Sequence, residues 1–186
     1  MQRVDGRPSI GKPSGTSFLP ARSEQGSTMT EPWNADTPKV IQLPSGRRIR
    51  GRGLRYDLPE GQTPTFAVHL TDHRPADPPW ESVWVPWRDF WLPTDPAEAM
   101  SRLRLAYERS VSERVEICCG GGIGRTGTAL SAICVFEGMN PKEAVTWVRR
   151  NYHPRAVEVP WQRRFIRQTF AAGTSGASGG GRAGRP

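Results

Sequence analysis

The sequence predicts an α/β domain, a central mixed sheet flanked by helices, with one tight strand–loop–helix unit at its middle. Three observations carry this. Apolar residues alternate in short runs through the first half of the chain and recur at helical spacing through the second. Asp95-Pro96 and Asn140-Pro141 stand where helical spacing begins, each a capping residue followed by a proline suited to a first turn. Between them RVEICC (114–119) reads as a strand and runs through glycines straight into a helical segment.

In chain order, PKVIQLPSGRRIRGRGLRYDL (38–58) alternates around a Pro-Ser-Gly turn and predicts a short hairpin. PTFAVHLTDH (64–73) predicts a strand ended by Pro75 and the run DPPW. SVWVPWRDFWLP (82–93) starts as a strand and becomes a proline-punctuated loop. The helix opening at Asp95 puts Met100, Leu103 and Tyr107 on one face. In the strand 114–119, Val115, Ile117 and Cys119 share one alternation. RTGTALSAICVFEG has helical character and stops at Gly138. The next helix carries Ala144, Val145, Val148 and Tyr152, and a last one opens near Pro160 and runs through Phe165, Ile166 and Phe170. There are no internal repeats.

Composition sets the boundaries. The chain has 186 residues, and ten of its 20 Gly fall in residues 1–37 and 172–186. Residues 1–37, and the Gly-rich 172–186, cannot bury enough apolar surface to offset the entropy of ordering, so both are expected to be disordered tails. The folding unit is then 38–171, large enough for its own core. Met29 is a candidate true start. No apolar run is long enough to span a membrane, and the N-terminus lacks the apolar middle of a signal peptide. Three cysteines, Cys118, Cys119 and Cys134, make a poor disulfide framework, so the expectation is a cytoplasmic protein without membrane partners. Under oxidation Cys118 could pair with Cys119 or Cys134. The net charge is +8, of which the tails hold +2, leaving +6 on the folding unit to attract phosphorylated, acidic or nucleic-acid partners.

The glycine-rich loop after the strand 114–119 is the most informative stretch. As a Walker-type loop it fails twice, with Cys119 where the first glycine should stand and Arg125 in place of the lysine. Gly122–Gly127 satisfies G-x-G-x-x-G, but no second strand with an acidic end follows the helix. A third reading places Cys119 at the strand end and Arg125 six residues on. Gly120, Gly121, Gly122, Ile123 and Gly124 then turn successive N–H groups inward as an anion nest. The positive end of the following helix favours thiolate over thiol at Cys119. Arg125 supplies a bidentate clamp for phosphoryl oxygens, and Thr126 is placed to hydrogen-bond the sulfur.

CCGGGIGRTG resembles the signature of the cysteine-dependent protein tyrosine and dual-specificity phosphatases, His-Cys-x5-Arg-Ser/Thr, with Cys118 at the His. Two distant segments extend the resemblance. Trp87-Arg88-Asp89-Phe90-Trp91-Leu92-Pro93 is similar to the family's Trp-Pro-Asp-Phe-Gly-x-Pro acid loop, which implies Asp89 as general acid. Asp72, Asp77 and Asp95 are rivals, Asp95 as a helix cap and the other two in turns. Val157-Glu158-Val159-Pro160-Trp161-Gln162 is similar to the family's Val-Glu-Thr-x-x-Gln, which implies that Gln162 places the hydrolytic water, against the plain alternative of an exposed helix glutamine. Glu158 reads as a brace or cap.

The resemblance implies a phosphatase-type domain that hydrolyses phosphomonoesters, phosphotyrosine on proteins or peptides first and with possible dual specificity, through a cysteinyl-phosphate. It implies no cofactor and no metal, and His69, His73 and His153 have no metal-ligand spacing. Two other classes stay open. A phosphate- or phosphopeptide-binding module with little or no turnover would keep the same loop. A nucleic-acid-binding domain would use Arg47, Arg48, Arg50, Arg52 and Arg55, a run that otherwise reads as a solvated face. Trp80, Trp84, Trp87 and Trp91 read as core and loop anchors, with one available to stack on a substrate ring. Oligomeric state is not encoded in any pattern found.

Overall fold

The structure, a computed structural model, describes residues 31–176. Five strands form one sheet: β1 (Val40–Gln42), β2 (Arg48–Gly53), β3 (Phe66–Thr71), β4 (Glu81–Pro86) and β5 (Val115–Cys119), in the order β1-β2-β5-β3-β4. The β1–β2 pair is the antiparallel hairpin expected from Pro44-Ser45-Gly46, and the other pairings are parallel, so the sheet is mixed. β5 lies at the centre, with Cys119 in register with Gly53 on one side and Leu70 on the other.

Of the four helices, two begin at the expected caps. α1 (Pro96–Arg109) is capped by Asp95, which accepts from Ala97 N and Glu98 N, and α3 (Pro141–Asn151) is capped in the same way by Asn140. α2 (Gly124–Phe136) and α4 (Pro160–Gly176) complete the set. α2 packs on β5 and is touched by the other three helices. Leu103, Leu130, Ile133, Val148, Phe165 and Ile166 meet Ile49, Val68, Leu70 and Ile117 of the sheet in one buried cluster. Among the described residues no helix is long and apolar enough to cross a membrane.

The sheet's other face is also covered, and here the expected boundary moves. Trp33, placed in the N-terminal tail by its polar surroundings, is fully buried. Its Nε1 donates to Val115 O at 2.8 Å, and the Arg50 guanidinium stacks 4.1 Å from its ring centroid. Ordered structure therefore begins before residue 38, because one aromatic side chain seals this face. At the other end α4 runs to Gly176, past the expected end at 171. The remaining tail residues, with Met29 among them, lie outside the described residues.

The arginine run is a further correction. It is not a solvated face. Arg50 and Arg52 both bind Glu116, which stands beneath them on β5, with N···O distances of 2.7 and 3.0 Å. Arg47 reaches Tyr107 O and Glu137, and Arg48 donates to Trp33 O and Gln42. Only Arg55 has no such partner among the described residues, and its guanidinium lies beside Gly120.

Candidate active site

The end of β5 delivers Cys119 into a loop closed from three sides. Its sulfur accepts hydrogen bonds from Gly122 N and Thr126 Oγ1, both at 3.2 Å, and is almost wholly buried. Such donors stabilise negative charge on sulfur. Gly122 has φ +69°, and a Cβ there would sit 2.5 Å from Gly53 N, so the loop turns back against the end of β2 where only glycine fits. The Tyr152 hydroxyl donates to Gly122 O and holds the turn from the C-terminus of α3. α2 starts at Gly124 with no side-chain cap at Ile123, leaving the first-turn amides and the positive helix end facing the loop.

Arg125 ties this loop to the segment between β4 and α1. It is nearly buried; Nη1 donates to Trp87 O at 2.8 Å, and Nη2 lies 3.2 Å from Asp89 Oδ1. Its Nε is buried with no partner among the described residues, an unmet donor at the start of α2. Of the four aspartates considered, Asp89 is the one that meets Arg125. Asp95 caps α1, and Asp72 and Asp77 face His73 and Arg74 at an exposed turn.

Gln162 is not an exposed helix residue. It is fully buried, and its Oε1 accepts from Glu158 N at 2.8 Å and Val159 N at 3.4 Å. It thereby fixes the turn into α4. Its Nε2 is buried without a partner among the described residues. The Glu158 carboxylate stands against Gly124, where any Cβ would overlap it. Partial burial, then the neighbouring charge of Asp89, raise its carboxyl above the usual range, against the pull of Arg155 and Arg125. Asp89 and Glu158 thus share one electrostatic neighbourhood across Arg125.

Cys118 points to the opposite face of the sheet, alongside Glu116 and in register with His69. Its thiol donates to Val68 O, and burial pushes its pKa well up. All three cysteines are free. Cys134 belongs to the helix-side cluster with Cys119, and Cys118 faces the other side of the sheet, so of the two pairings open to Cys118 under oxidation the one with Cys134 has no geometric support. The tryptophans divide. Trp87 is buried edge-on against Phe165 at 5.3 Å, and Trp84 Nε1 is tied to Thr71 O, whereas Trp91 is 57 % exposed. Sequence reading assigns no role to Tyr152 beyond an apolar helix face, and none to Trp161. The first is a loop brace whose acceptor is a backbone carbonyl, for which no sequence signal exists.

Chains of known kind share this architecture. The family described as "PTP-SAK: Swiss Army Knife protein, DSP-PTPase phosphatase domain" matches residues 67–175. The structure is similar to Tk-PTP in its active form, with TM-score 0.56 and 24 % identity over 73 % of this chain and 98 % of that one. A mutant form of Tk-PTP gives TM-score 0.52 and 26 % identity over 60 % of this chain and 80 % of that one. The uncharacterized protein MJ0215 of Methanocaldococcus jannaschii is 35 % identical over 88 residues, 46 % of this chain and 52 % of that protein. The chain spans about half the length of the curated relatives it matches. With the match covering well over half of the chain, and the Cys119-to-Arg125 loop inside it, the protein belongs to the Swiss Army Knife family of dual-specificity-type phosphatase domains.

Proposed function

We propose that the protein is a phosphatase that hydrolyses phosphomonoesters, phosphotyrosine on proteins or peptides first, with dual specificity open to it, through a cysteinyl-phosphate on Cys119. The observation that carries this is the joining of three groups: Cys119 with two donors on its sulfur, Arg125 with an unmet buried donor, and Asp89 in contact with that arginine. The Cys119 thiolate attacks phosphorus and the ester P–O bond breaks. Arg125 and the amides of Gly120–Gly124 hold the non-bridging oxygens, and Asp89 gives its proton to the leaving oxygen. Water then attacks phosphorus, the P–S bond breaks, and Asp89 takes up the proton. Gln162 would orient that water through Nε2, its oxygen being used by the turn into α4.

Phe90 and Trp91 expose aromatic surface beside Asp89, which suits a phenyl ester better than a short alkyl one. The catalytic unit would extend from the segment holding Trp33 through α4. The chemistry needs Cys119 reduced, which fits a cytoplasmic setting.

The test is hydrolysis of phenyl phosphate by the reduced full chain across about pH 5–8, beside Cys119→Ser and Arg125→Lys. Turnover abolished by the first and lowered at least ~100-fold by the second is expected. Turnover that survives Cys119→Ser, or none from folded wild type, would overturn the reading and favour a phosphate-binding module.

A further inference from the structure

The loop carrying Asp89 is anchored unevenly. Its base is secure, since Trp87 N donates to Thr71 O and Trp87 bridges to Pro93, and within the loop Trp87 Nε1 donates forward to Trp91 O. The tip, residues 88–91, is another matter. Phe90 has φ +58°, a left-handed conformation that a bulky aromatic keeps only when its surroundings hold it there. The Phe90 and Trp91 side chains are both more than half exposed, so burial does not hold them.

Among the described residues, two side chains from other elements reach this tip. One is Arg125, through Asp89. The other is Trp161, the second residue of α4, whose Nε1 donates to Phe90 O at 2.6 Å while its ring lies 6.2 Å from that of Trp91, tilted by 35°. A phosphoryl group entering the loop competes for the Arg125 guanidinium, which is the clamp for its oxygens. The Trp161 tie is independent of that competition. It also rests on a fixed base, because Gln162 pins the turn immediately before it.

We propose that Trp161 is a positioning residue that latches the Asp89 loop over the occupied phosphate loop, so that the acid stays in reach of the leaving oxygen. This rests on the phosphatase reading above. The latch acts only through proton delivery, so its removal is felt where the leaving group needs a proton and hardly at all where it does not. It links the helix that carries Gln162 to the loop that carries Asp89 by one indole N–H.

The experiment compares wild type, Trp161→Phe and Trp161→Ala on phenyl phosphate, a poor leaving group, and on 2,4-dinitrophenyl phosphate, a good one. Trp161→Phe keeps a ring and removes the donor. For it kcat/KM on phenyl phosphate is expected to fall ~10-fold, with a change below about twofold on the dinitrophenyl ester and on inhibition by inorganic phosphate. Trp161→Ala is expected to widen the gap between the two esters. Equal losses on both esters, or no loss on either, would overturn the latch while leaving the phosphatase reading in place. Absence of wild-type turnover on both esters would overturn that reading and the latch with it.

Discussion

The loop after β5 and the loop after β4 meet at Arg125, yet they are held in place by different means. The first rests on close backbone approach, Gly122 on Gly53, with Gly122 N donating to the buried sulfur and the Tyr152 hydroxyl bracing the turn. The second is held at its tip by side-chain ties, from Arg125, Trp161 and its own buried Trp87, with Phe90 and Trp91 more than half exposed. On the proposed function the first loop takes the phosphoryl group, and such a site must be preorganised, because any slack there costs transition-state stabilisation directly. On the same proposal Asp89 delivers and later recovers a proton, a task better carried on a segment that a few bonds can release.

The largest effect should come from adding bulk to the first loop. Gly122→Ala places a methyl group against Gly53 N in a left-handed conformation, and should cost about 2–4 kcal/mol of stability together with phosphate binding. Denaturant unfolding and inhibition by inorganic phosphate measure both. Retention of both would mean that the loop's approach to β2 does not fix its shape. Next comes the second loop. Asp89→Asn should lower kcat/KM on phenyl phosphate ~100-fold while melting temperature and phosphate inhibition stay close to wild type. A loss of phosphate affinity as large as the loss of rate would erase the distinction between the two loops.

The smallest effect concerns the carboxylate between them. The folded-state pKa of Glu158 is raised, by partial burial first and the Asp89 charge second, so folding shifts the balance toward its neutral form relative to the unfolded chain. Stability from this group is therefore present below its unfolded pKa and is lost as pH rises through the folded value. Glu158→Gln should raise the melting temperature by roughly a degree or two near pH 8, a gain that shrinks toward about pH 4. A gain that grows on acidification would contradict the sign.

The sequence discloses the first loop far better than the second. Cys119, Arg125 and Thr126 sit within eight residues, so spacing alone brings them to one strand end and one helix start. Helix starts are equally plain, since Asp95 and Asn140 cap through their own neighbours. What is illegible is nonlocal. Arg50 and Arg52 look like surface charge because their partner, Glu116, lies more than sixty residues away and is paired by sheet register. Trp33 looks like tail because a lone aromatic has no periodicity, and its burial depends on the central strand's carbonyl at Val115. Trp161 gives no sign of its reach to Phe90, since a bond from side chain to a distant backbone carbonyl leaves no trace in spacing.

The most direct test is rapid acid quench of the reduced full chain during phenyl phosphate turnover, followed by peptide mass mapping. Fragment-ion sequencing that places the phosphoryl group on Cys119 rather than on the adjacent Cys118, with none on the peptide from Cys119→Ser, is the predicted result. Turnover with no phosphoryl group on any cysteine peptide, or one carried on Cys118 instead, would contradict Cys119 as the nucleophile.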